Sequence, residues 1–386
     1  MATTAVLPAT GSRLHVLQIV GNAIVGGMET SVERLVAQLP PQRVGVTALC
    51  PFESPFTDRL RALGADVVIA TITDEPSWHA IQLACALVRA SAVDVIQTHL
   101  PNAHVLGGIV GRLVDKPVLA TIHGRALTGL DLEVHRAAST HLAVVCRHSH
   151  LHALGVGVHP KHLHLVPNGV DTDVFAPGQP RLGALRARFS IDADAPLVGF
   201  VGRLSWEKGP DVFLRAALAV HLARPDARFV LVGEGPMQAQ LASFVERFDL
   251  ADLVHFAGMQ SAMPAVFGEL DVVVSASRSE AMPLAVMEAM ASGLPLVACK
   301  VGAVPDLVQH GVSGWLVDDG DVDGLAARVV DLLDDDALRV GAGRAGRQRA
   351  IERFTLSGHV AQTHALLSRL AGRAAPAHDE EIRNLG

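Results

Sequence analysis

Two glutamates separated by seven residues form the clearest chemical pattern in this sequence of 386 residues. Glu280 follows a predicted strand, and Glu288 lies in a helix that we expect to begin at Pro283, because proline is favoured at the first helical position. One carboxylate is then near the start of the helix and the other more than one turn along it. A carboxylate accepts paired hydrogen bonds from a vicinal diol, so the two glutamates indicate a site for sugar hydroxyls.

The alternative for this pair is a solvated glutamate at the helix start followed by a structural one. Glu288 speaks against this alternative, because an idle charge among apolar side chains costs free energy. Its neighbours on the predicted helix are apolar, namely Ala285, Met287, Ala289 and Met290. The pattern therefore favours a binding role for Glu288.

Two cations, Arg203 and Lys208, follow another predicted strand at residues 197–201. Ligands of open α/β sheets bind at the carboxyl ends of the strands, so this pair could bind a diphosphate. Each charge-assisted contact of that kind contributes about 1.5–3 kcal/mol. The alternative is a surface salt bridge to Glu207 or Asp211, which the position of both cations at a strand end makes less favourable.

Glycines and a histidine occupy similar positions in the first half of the chain. Gly26 and Gly27 follow the first predicted strand and open a helix, where backbone N–H groups and the helix dipole favour an anionic group. An ordinary turn between strand and helix is the alternative for them. His123 ends a further predicted strand, and a histidine there is compatible either with a ligand contact or with packing.

Two other patterns match known motifs only superficially. Gly341, Gly343 and Gly346 have the spacing of a dinucleotide fingerprint, but they follow an acidic helical stretch instead of a strand, so we predict a helix face of small residues. The histidines at 148, 150 and 152 could suggest a metal, since two of them share a helix face. Without a further ligand at a recognisable spacing, we expect a solvated face and no metal site.

Short apolar runs alternate with helical patterns from residue 14 to residue 370, which predicts parallel sheets with right-handed crossovers. The predicted strands are at 14–20, 44–49, 67–70, 93–97, 118–122, 142–145 and 163–166, then at 197–201, 229–232, 253–256, 272–275 and 295–298. Helices such as 28–39, 77–90, 211–223 and 236–248 lie between strands. After the last strand we expect loops and then helices at 322–333, 337–349 and 355–371. The expected fold class is α/β, with two Rossmann-like doubly wound domains facing across a cleft.

Composition limits the classes of function. Hydrophobic residues make up 49% and charged residues 18% of the chain, so it has enough apolar material for real cores. The net charge of −7 argues against general nucleic-acid binding, which requires a basic face. Residues 1–190 hold 15 Lys and Arg against 13 Asp and Glu, and residues 191–386 hold 17 against 26, which supports two domains. Neither a signal peptide nor a spanning helix is indicated, so we expect a cytoplasmic protein with four buried, reduced cysteines.

Taken together, these motifs resemble glycosyltransferase family 4, the retaining, nucleotide-sugar-dependent enzymes of the GT-B fold. The resemblance extends from Gly26 almost to residue 370, and its most specific part is the pair at 280 and 288. Further matching segments are Val-Pro-Asn-Gly-Val-Asp at 166–171, Gly-Arg-Leu at 202–204, Val-Gly-Glu-Gly-Pro at 232–236 and Gly-Leu-Pro-Leu-Val at 293–297. Their order and spacing together are specific.

The resemblance implies a role for each candidate residue. Arg203 and Lys208 would bind the donor diphosphate, Glu280 would contact donor-sugar hydroxyls, and Glu288 would hold the ribose diol. His123 would lie near the reacting sugar. The remaining expected contacts are backbone groups of Met282, Pro283, Leu284 and Ala285 and of Gly26 and Gly27 for the phosphates, and Gly258 and Met259, a looser match, for the base.

The resemblance also implies a division of the chain. We expect flexible ends at 1–12 and 374–386, an acceptor domain at 13–180, a nucleotide-sugar domain at 181–354, and a helix at 355–373 that crosses back to the first domain. The stretch 177–196 is the predicted hinge, because it is rich in Pro, Gly, Arg and Asp.

The implied activity is transfer of a sugar from a UDP or GDP sugar to a hydroxyl of a saccharide or lipid-linked saccharide, in cell-surface polysaccharide or glycolipid synthesis. No metal and no cofactor would be required, because cations and a helix start stabilise the leaving group. The histidine-rich first half is compatible with peripheral contact with the inner face of a membrane. Two alternatives stay open: a nucleotide-sugar 2-epimerase of the same fold, and a catalytically silent nucleotide-binding subunit.

Overall fold

The computed structural model describes residues 13–178 and 183–373. The predicted flexible ends at 1–12 and 374–386 lie outside the described residues, as does the part of the predicted hinge at 179–182. The described chain forms two lobes, each built on one parallel sheet. The first lobe consists of the first sheet, the helices that connect its strands and the last described helix of the chain. The second lobe consists of the second sheet and the remaining helices.

The first sheet has seven parallel strands in the order β3-β2-β1-β4-β5-β6-β7. They are β1 (Leu14–Val20), β2 (Val44–Cys50), β3 (Asp66–Ile69), β4 (Val95–His99), β5 (Val118–Ile122), β6 (His141–Val144) and β7 (Leu163–Leu165). β1 and β2 are buried almost throughout, as strands covered on both faces by helices must be. The strand order reverses between the central strands β1 and β4, so the carboxyl ends of these two strands form a topological switch point.

Six α-helices connect these strands: α1 (Gly27–Gln38), α2 (Pro55–Ala62), α3 (Trp78–Ala90), α4 (Pro101–Val114), α5 (Gly129–Ala138) and α6 (Arg147–Gly155). Local sequence explains where several begin. The Ser54 hydroxyl accepts from Phe56 and Thr57 at the start of α2, and Thr128 with Asp131 forms a capping box at the start of α5.

The second sheet has six parallel strands in the order β10-β9-β8-β11-β12-β13. They are β8 (Leu197–Val201), β9 (Arg228–Val232), β10 (Val254–Gly258), β11 (Val272–Ser275), β12 (Leu296–Cys299) and β13 (Trp315–Val317). The order reverses between β8 and β11, which gives this lobe its own switch point. The helices of this lobe are α7 (Ala184–Arg188), α8 (Pro210–Ala223), α9 (Gln238–Arg247), α10 (Met263–Glu269), α11 (Leu284–Ala291), α12 (Val304–Leu307), α13 (Val322–Asp334) and α14 (Asp336–Arg353).

The predicted absence of a strand after residue 298 is wrong. The three residues of β13 pair in parallel with β12 and are all buried. They are easily missed, because a run of Trp-Leu-Val is too short to show a period and lies between Gly314 and Gly320, both at positive φ.

The glycines at 341, 343 and 346 lie inside α14, as predicted, and not after a strand. Gly343 and Gly346 are buried, and a Cβ on Gly343 would collide with the carbonyl oxygen of Gly293. Small residues here allow α14 to pack closely against the end of α11. The motif therefore has a packing role.

The last described helix, α15 (Leu356–Leu370), returns to the first lobe. Backbone bonds join Val170 to Phe354 and Leu356 where the chain crosses over. Leu356, Val360, Leu366 and Leu367 then enter an apolar cluster formed with residues of β1, β2 and α1. The first sheet is thus covered partly by residues from the far end of the chain.

Two smaller features bear on the position and chemistry of the chain. All four cysteines are buried and free. Among residues 13–178 and 183–373, no helix is both long and apolar enough to cross a membrane.

The segment after residue 183 packs on the second lobe, where backbone N–H groups of Leu185 and Arg186 donate to the Glu269 carboxylate.

Candidate active site

Most candidate residues follow strands at the two switch points. In the second sheet β8 leads to Arg203 and Lys208, and the neighbouring β11 leads to Glu280. In the first sheet β1 leads to Gly26 and Gly27. Sequence reasoning placed these residues at strand ends, and the strand order places β8 next to β11.

Lys208 and Glu280 are in direct contact. The Lys208 Nζ atom lies 2.7 Å from Oε1 and 2.8 Å from Oε2 of Glu280. The Ser277 hydroxyl donates to Oε1 over 2.7 Å. Because the Glu280 side chain is only 8% exposed, these donors stabilise a charge that burial would otherwise make costly.

The loops that carry these two residues are held to each other. Backbone N–H groups of Arg278 and Ser279 donate to the carbonyl oxygen of Glu207, and the Arg278 guanidinium binds both carboxylate oxygens of Asp211 at 2.6 and 2.8 Å. Gly209 has φ +66°, and a Cβ there would collide with the Ala276 carbonyl oxygen. A glycine is therefore needed where the two loops meet.

Arg203 is exposed, and its side chain forms no hydrogen bond or ion pair with the described residues. The alternative partners are engaged elsewhere: Glu207 accepts from Ser205 over 2.6 Å, and Asp211 binds Arg278 and Arg215. The surface salt bridge considered for Arg203 is thus not formed. Burial acts to raise the pKa of Glu207, but the hydrogen bond from Ser205, with a smaller contribution from the charge of Arg203, lowers this pKa overall.

The start of α11 lies against the segment that links the lobes. Pro283 is its N-cap and is followed by Leu284 and Ala285, and Met282 is buried beside them. The Asn168 side chain donates to the Met282 carbonyl oxygen over 3.1 Å, and the Asn168 backbone N–H points at the Met282 sulfur. The free N–H groups at this helix start can donate to an anion, and the Asn168 contacts fix the loop before them.

Glu288 is buried and bound to the opposite lobe. Its Oε1 atom accepts from Nη2 of Arg34 on α1 over 2.6 Å, with side-chain exposures of 9% for Glu288 and 21% for Arg34. The Arg34 guanidinium lies 5.4 Å from the ring centroid of Phe175. Glu288 is thus a buried charge with a protein partner, Arg34, which sequence reasoning did not select, and its binding role stays a prediction.

Gly26 and Gly27 lie at the start of α1, with Gly26 as the N-cap. Glu29, three residues later, is 3% exposed and accepts from Asn22 over 2.8 Å. Burial raises the pKa of Glu29 despite this hydrogen bond. A Cβ on Gly26 would come within 3.0 Å of Glu29 Oε2, so the carboxylate lies against the glycine turn.

His123 is the last member of a series of polar side chains in the first lobe that are joined by hydrogen bonds. Gln97 donates to Thr121, Gln18 donates to Gln97, and the remaining amide oxygen of Gln18 faces Nε2 of His99 at 2.8 Å. His99 Nδ1 in turn faces Nε2 of His123 at 2.9 Å.

The order of donors determines the neutral tautomers of both histidines. Because the Gln18 oxygen can only accept, His99 carries its proton on Nε2 and accepts through Nδ1. His123 must then donate from Nε2, which leaves its Nδ1 as a free acceptor. Burial lowers the pKa of His123 to about 4, so the ring is neutral near pH 7.

A small cavity lies beside these histidines, under α1 and α15. Its volume available to the centre of a water molecule is about 10 Å³, and His99, His123, His359 and Thr363 are among the lining residues. His359 donates to the Pro167 carbonyl oxygen over 2.7 Å, and burial lowers its pKa. The cavity is large enough for about one water molecule.

The looser candidates lie at the end of β10. Gly258 has φ +71° and accepts through its carbonyl oxygen from the N–H of Gly233, and Met259 is 58% exposed. An exposed thioether is compatible with contact to an aromatic base. His148, His150 and His152 lie on α6 of the first lobe, and the described ranges contain no group of three or more His, Cys, Asp or Glu side chains that could hold a metal ion.

Sequence reasoning missed Arg34, Ser277, His99 and Asn168. Asn168 lies in a segment that carries the family resemblance, so a signal for it was present. Arg34 is separated from Glu288 by 254 residues, and no local pattern marks such a contact. His99 was placed beyond the predicted strand 93–97, whereas it is the last residue of β4.

Two lobes that are each built on a doubly wound parallel sheet have the GT-B fold. Crystal structures share this fold: Anabaena Alr3699/HepE in complex with UDP and glucose has a TM-score of 0.81 and 21% identity, and covers 92% of this chain and 100% of its own. A glycosyltransferase from Rickettsia africae has a TM-score of 0.83 and 17% identity, with coverage of 94% and 100%. The predicted fold class is confirmed.

Sequence comparison identifies the family. Residues 25–174 match the family described as Glycosyltransferase Family 4, and residues 195–335 match Glycosyl transferases group 1. The 2-deoxystreptamine glucosyltransferase of Streptomyces kanamyceticus is 30% identical over 69% of this chain and 75% of its own length. The Escherichia coli enzyme named UDP-Gal:alpha-D-GlcNAc-diphosphoundecaprenol alpha-1,3-galactosyltransferase is 25% identical over 86% and 92%.

The chain therefore belongs to glycosyltransferase family 4, and the resemblance seen in the sequence is confirmed. It is a glycosyltransferase of the group 1 type.

Proposed function

We propose that this glycosyltransferase moves a sugar from a UDP or GDP sugar to a hydroxyl acceptor, with retention of configuration and without a metal or other cofactor. The observation that carries the proposal is the contact between Lys208 and Glu280 beside the start of α11. A diphosphate at this position would meet a cation and free backbone N–H groups, and its sugar would meet a carboxylate.

We assign the remaining donor contacts from the family resemblance. Arg203, which is exposed, would add a second cation to the diphosphate, and Glu288 would accept hydrogen bonds from the ribose diol. The backbone at Gly26 and Gly27 would approach the phosphates from the first lobe. Gly258 and Met259 would lie beside the base.

The chemistry requires stabilisation of two charges. As the bond between the anomeric carbon and the diphosphate oxygen breaks, positive charge develops on the carbon and negative charge on the leaving oxygen. Lys208, Arg203 and the start of α11 would stabilise the second charge. The acceptor oxygen then bonds to the same face of the carbon and gives its proton to the leaving phosphate oxygen, so no protein nucleophile is needed.

His123 would act on the first lobe's side of the reaction. Its neutral ring presents Nδ1 as an acceptor, and the hydrogen bond to His99 fixes the ring orientation. A hydroxyl of the reacting sugar could donate to this nitrogen. The role is positioning and polar contact, because a ring with a pKa of about 4 carries no charge near pH 7.

We assign acceptor binding to residues 13–180, donor binding to 181–354 and lobe connection to the helix at 355–373. The acceptor would be a saccharide or lipid-linked saccharide, in polysaccharide or glycolipid synthesis at the cytoplasmic face of a membrane. The support for the lipid-linked form is the E. coli relative, whose name gives a diphosphoundecaprenol-linked acceptor.

The purified protein tests this proposal directly. We expect one class of nucleotide sugar to raise the melting temperature, with slow donor hydrolysis that EDTA does not reduce. Proton NMR should show the first-formed free sugar in the anomeric configuration of the donor.

Other results would contradict it. Interconversion of the nucleotide sugar without an acceptor would identify a 2-epimerase. Binding with no turnover, also when saccharide acceptors are added, would identify a silent nucleotide-binding subunit. Inverted product or complete loss of activity in EDTA would contradict retention or metal independence.

A further inference from the structure

The contact between Arg34 and Glu288 joins the two lobes at the carboxylate that the proposed function assigns to the ribose. Arg34 lies on α1, two turns beyond the glycine turn, and its Nη2 atom is 2.6 Å from Oε1 of Glu288. This contact uses one carboxylate oxygen and one end of the guanidinium. The ion pair gives no contact to Nη1 of Arg34 or to Oε2 of Glu288.

The second end of the guanidinium is buried without a partner. The Nη1 atom of Arg34 is closed off from solvent and has no hydrogen-bond partner among the described residues. Burying a donor without a partner is unfavourable, so such groups in folded proteins need an explanation. A ligand hydroxyl that accepts from Nη1 would provide one, once the guanidinium of the 21% exposed side chain turns this atom toward the ligand.

The Glu288 carboxylate likewise has one oxygen with a partner and one without. Glu288 Oε2 has no protein partner in the described part of the chain, although the side chain is only 9% exposed. An unpaired acceptor and an unpaired donor thus belong to two groups already in contact. A hydroxyl can donate to the first and accept from the second, and a vicinal diol can do so with both of its hydroxyls.

The guanidinium is held beside Glu288 by a second contact. It stacks 5.4 Å from the ring centroid of Phe175, and Phe175 is 3% exposed. The Phe175 carbonyl oxygen accepts from Arg347 over 3.0 Å, which ties this segment to α14. Arg34 is therefore oriented by the second lobe even though it comes from the first.

We propose that Arg34 is part of the donor site, where it orients Glu288 and donates from Nη1 to the ribose diol of the nucleotide. The inference rests on the proposed function, because it needs the ribose at Glu288. It adds a specificity determinant contributed by the first lobe, so the diol is recognised by both lobes together.

Calorimetric titration with two ligands tests the proposal. The nucleoside diphosphate that binds the wild-type protein is compared with its 2′,3′-dideoxy counterpart, which lacks the diol. We expect Arg34→Met to weaken binding of the ribonucleotide about 10- to 100-fold, the range for losing a charge-assisted contact. Binding of the dideoxy counterpart should change less than about threefold, because it has no diol to lose. Since both residues act on the same hydroxyls, adding Glu288→Gln should cost less than the sum of the single effects.

Two further variants separate this role from a structural one. Arg34→Lys keeps a cation opposite Glu288 but lacks the two NH2 groups of the guanidinium. It should therefore retain the wild-type melting temperature and still lose the preference for the ribonucleotide over its dideoxy counterpart. Arg59→Met removes the contact between Arg59 and Glu33, which also involves α1, and should leave both affinities unchanged.

Several outcomes would overturn the inference. Equal weakening of both ligands by Arg34→Met would mean that Arg34 only holds the lobes together. Tighter ribonucleotide binding would mean that Arg34 competes with the ribose. If Glu288→Gln weakens ribonucleotide binding and Arg34→Met does not, the inference fails while the proposed function stands. If the wild-type protein binds no nucleoside diphosphate, both fail.

Discussion

The ammonium group of Lys208 lies within 2.8 Å of both carboxylate oxygens of Glu280, although 72 residues separate them in the chain. Each residue follows a different strand, β8 or β11, and these strands are neighbours at the switch point. The pair therefore brings one positive and one negative group to the same edge of the sheet. A sugar diphosphate needs both, since its phosphates require cations and its sugar hydroxyls require acceptors.

Replacing Lys208 by Met should reduce kcat for donor hydrolysis about 10²- to 10³-fold, the range for losing one group that stabilises developing negative charge. Initial rates with the donor that raises the melting temperature would measure this. Lys300→Met is the matched control, because Lys300 forms a surface pair with Asp318, and it should keep wild-type rates. Unchanged turnover in Lys208→Met would remove this residue from the site.

Arg203→Met should separate function from stability. Its exposed side chain has no partner among the described residues, so the free energy of unfolding should change by less than about 0.5 kcal/mol. Affinity for the donor should fall about 10- to 100-fold through loss of a charge-assisted phosphate contact. Urea unfolding and calorimetric titration measure the two quantities. Unchanged donor affinity would show that Arg203 does not contact the diphosphate.

Gly302 supports the backbone that carries Glu280. It has φ +54°, and a Cβ there would overlap the carbonyl oxygen of Glu280. Gly302→Ala should therefore lower the free energy of unfolding by about 1–3 kcal/mol more than Gly311→Ala, and should also reduce turnover. Gly311 is the matched control, because its φ is +74° and nothing lies within 4 Å of the added carbon. Equal unfolding midpoints for the two variants would contradict this role of Gly302.

The histidine pair predicts a pH dependence of stability. Burial holds the pKa of His123 at about 4, below the value of about 6.5 for an unfolded chain. The unfolded state therefore binds the proton first, so this contribution to stability is complete above about pH 6.5 and is lost as the pH falls toward 4.

The slope from His123 alone is at most about 1.4 kcal/mol per pH unit. His123→Asn should remove that share of the decline, measured as urea midpoints between about pH 7 and pH 4.5. The neighbours His99 and His359, whose pKa values burial also lowers, should keep the remaining slope. His79→Asn, at an exposed position, serves as control and should leave the curve unchanged. A His123→Asn curve parallel to the wild type would contradict the assignment.

The fold was predictable because its signals are local. Buried parallel strands are apolar on both faces, and β1 and β8 coincide with their predicted bounds. The site residues that could be predicted are those positioned by a strand end or a helix start, namely Lys208, Glu280 and the first residues of α11. β13 was missed because three residues are too few to show a period.

Contacts between distant segments could not be predicted from one sequence. Arg34 has the same local appearance as any other charged residue on an amphipathic helix, and only the packing of the two lobes brings it to Glu288. The tautomer of His123 depends likewise on Gln18, Gln97 and His99, which come from two other strands. Such relationships need coordinates, because they depend on the order of strands in the sheet.

The return of α15 to the first sheet has a consequence for biosynthesis. A ribosome releases the first lobe long before Leu356 and Leu367 emerge, and these side chains belong to its apolar cluster. The apolar surface of the first lobe therefore stays exposed to solvent until α15 has left the exit tunnel. Chaperone occupancy during translation, and aggregation of carboxyl-terminally truncated chains, should both follow from this late closure.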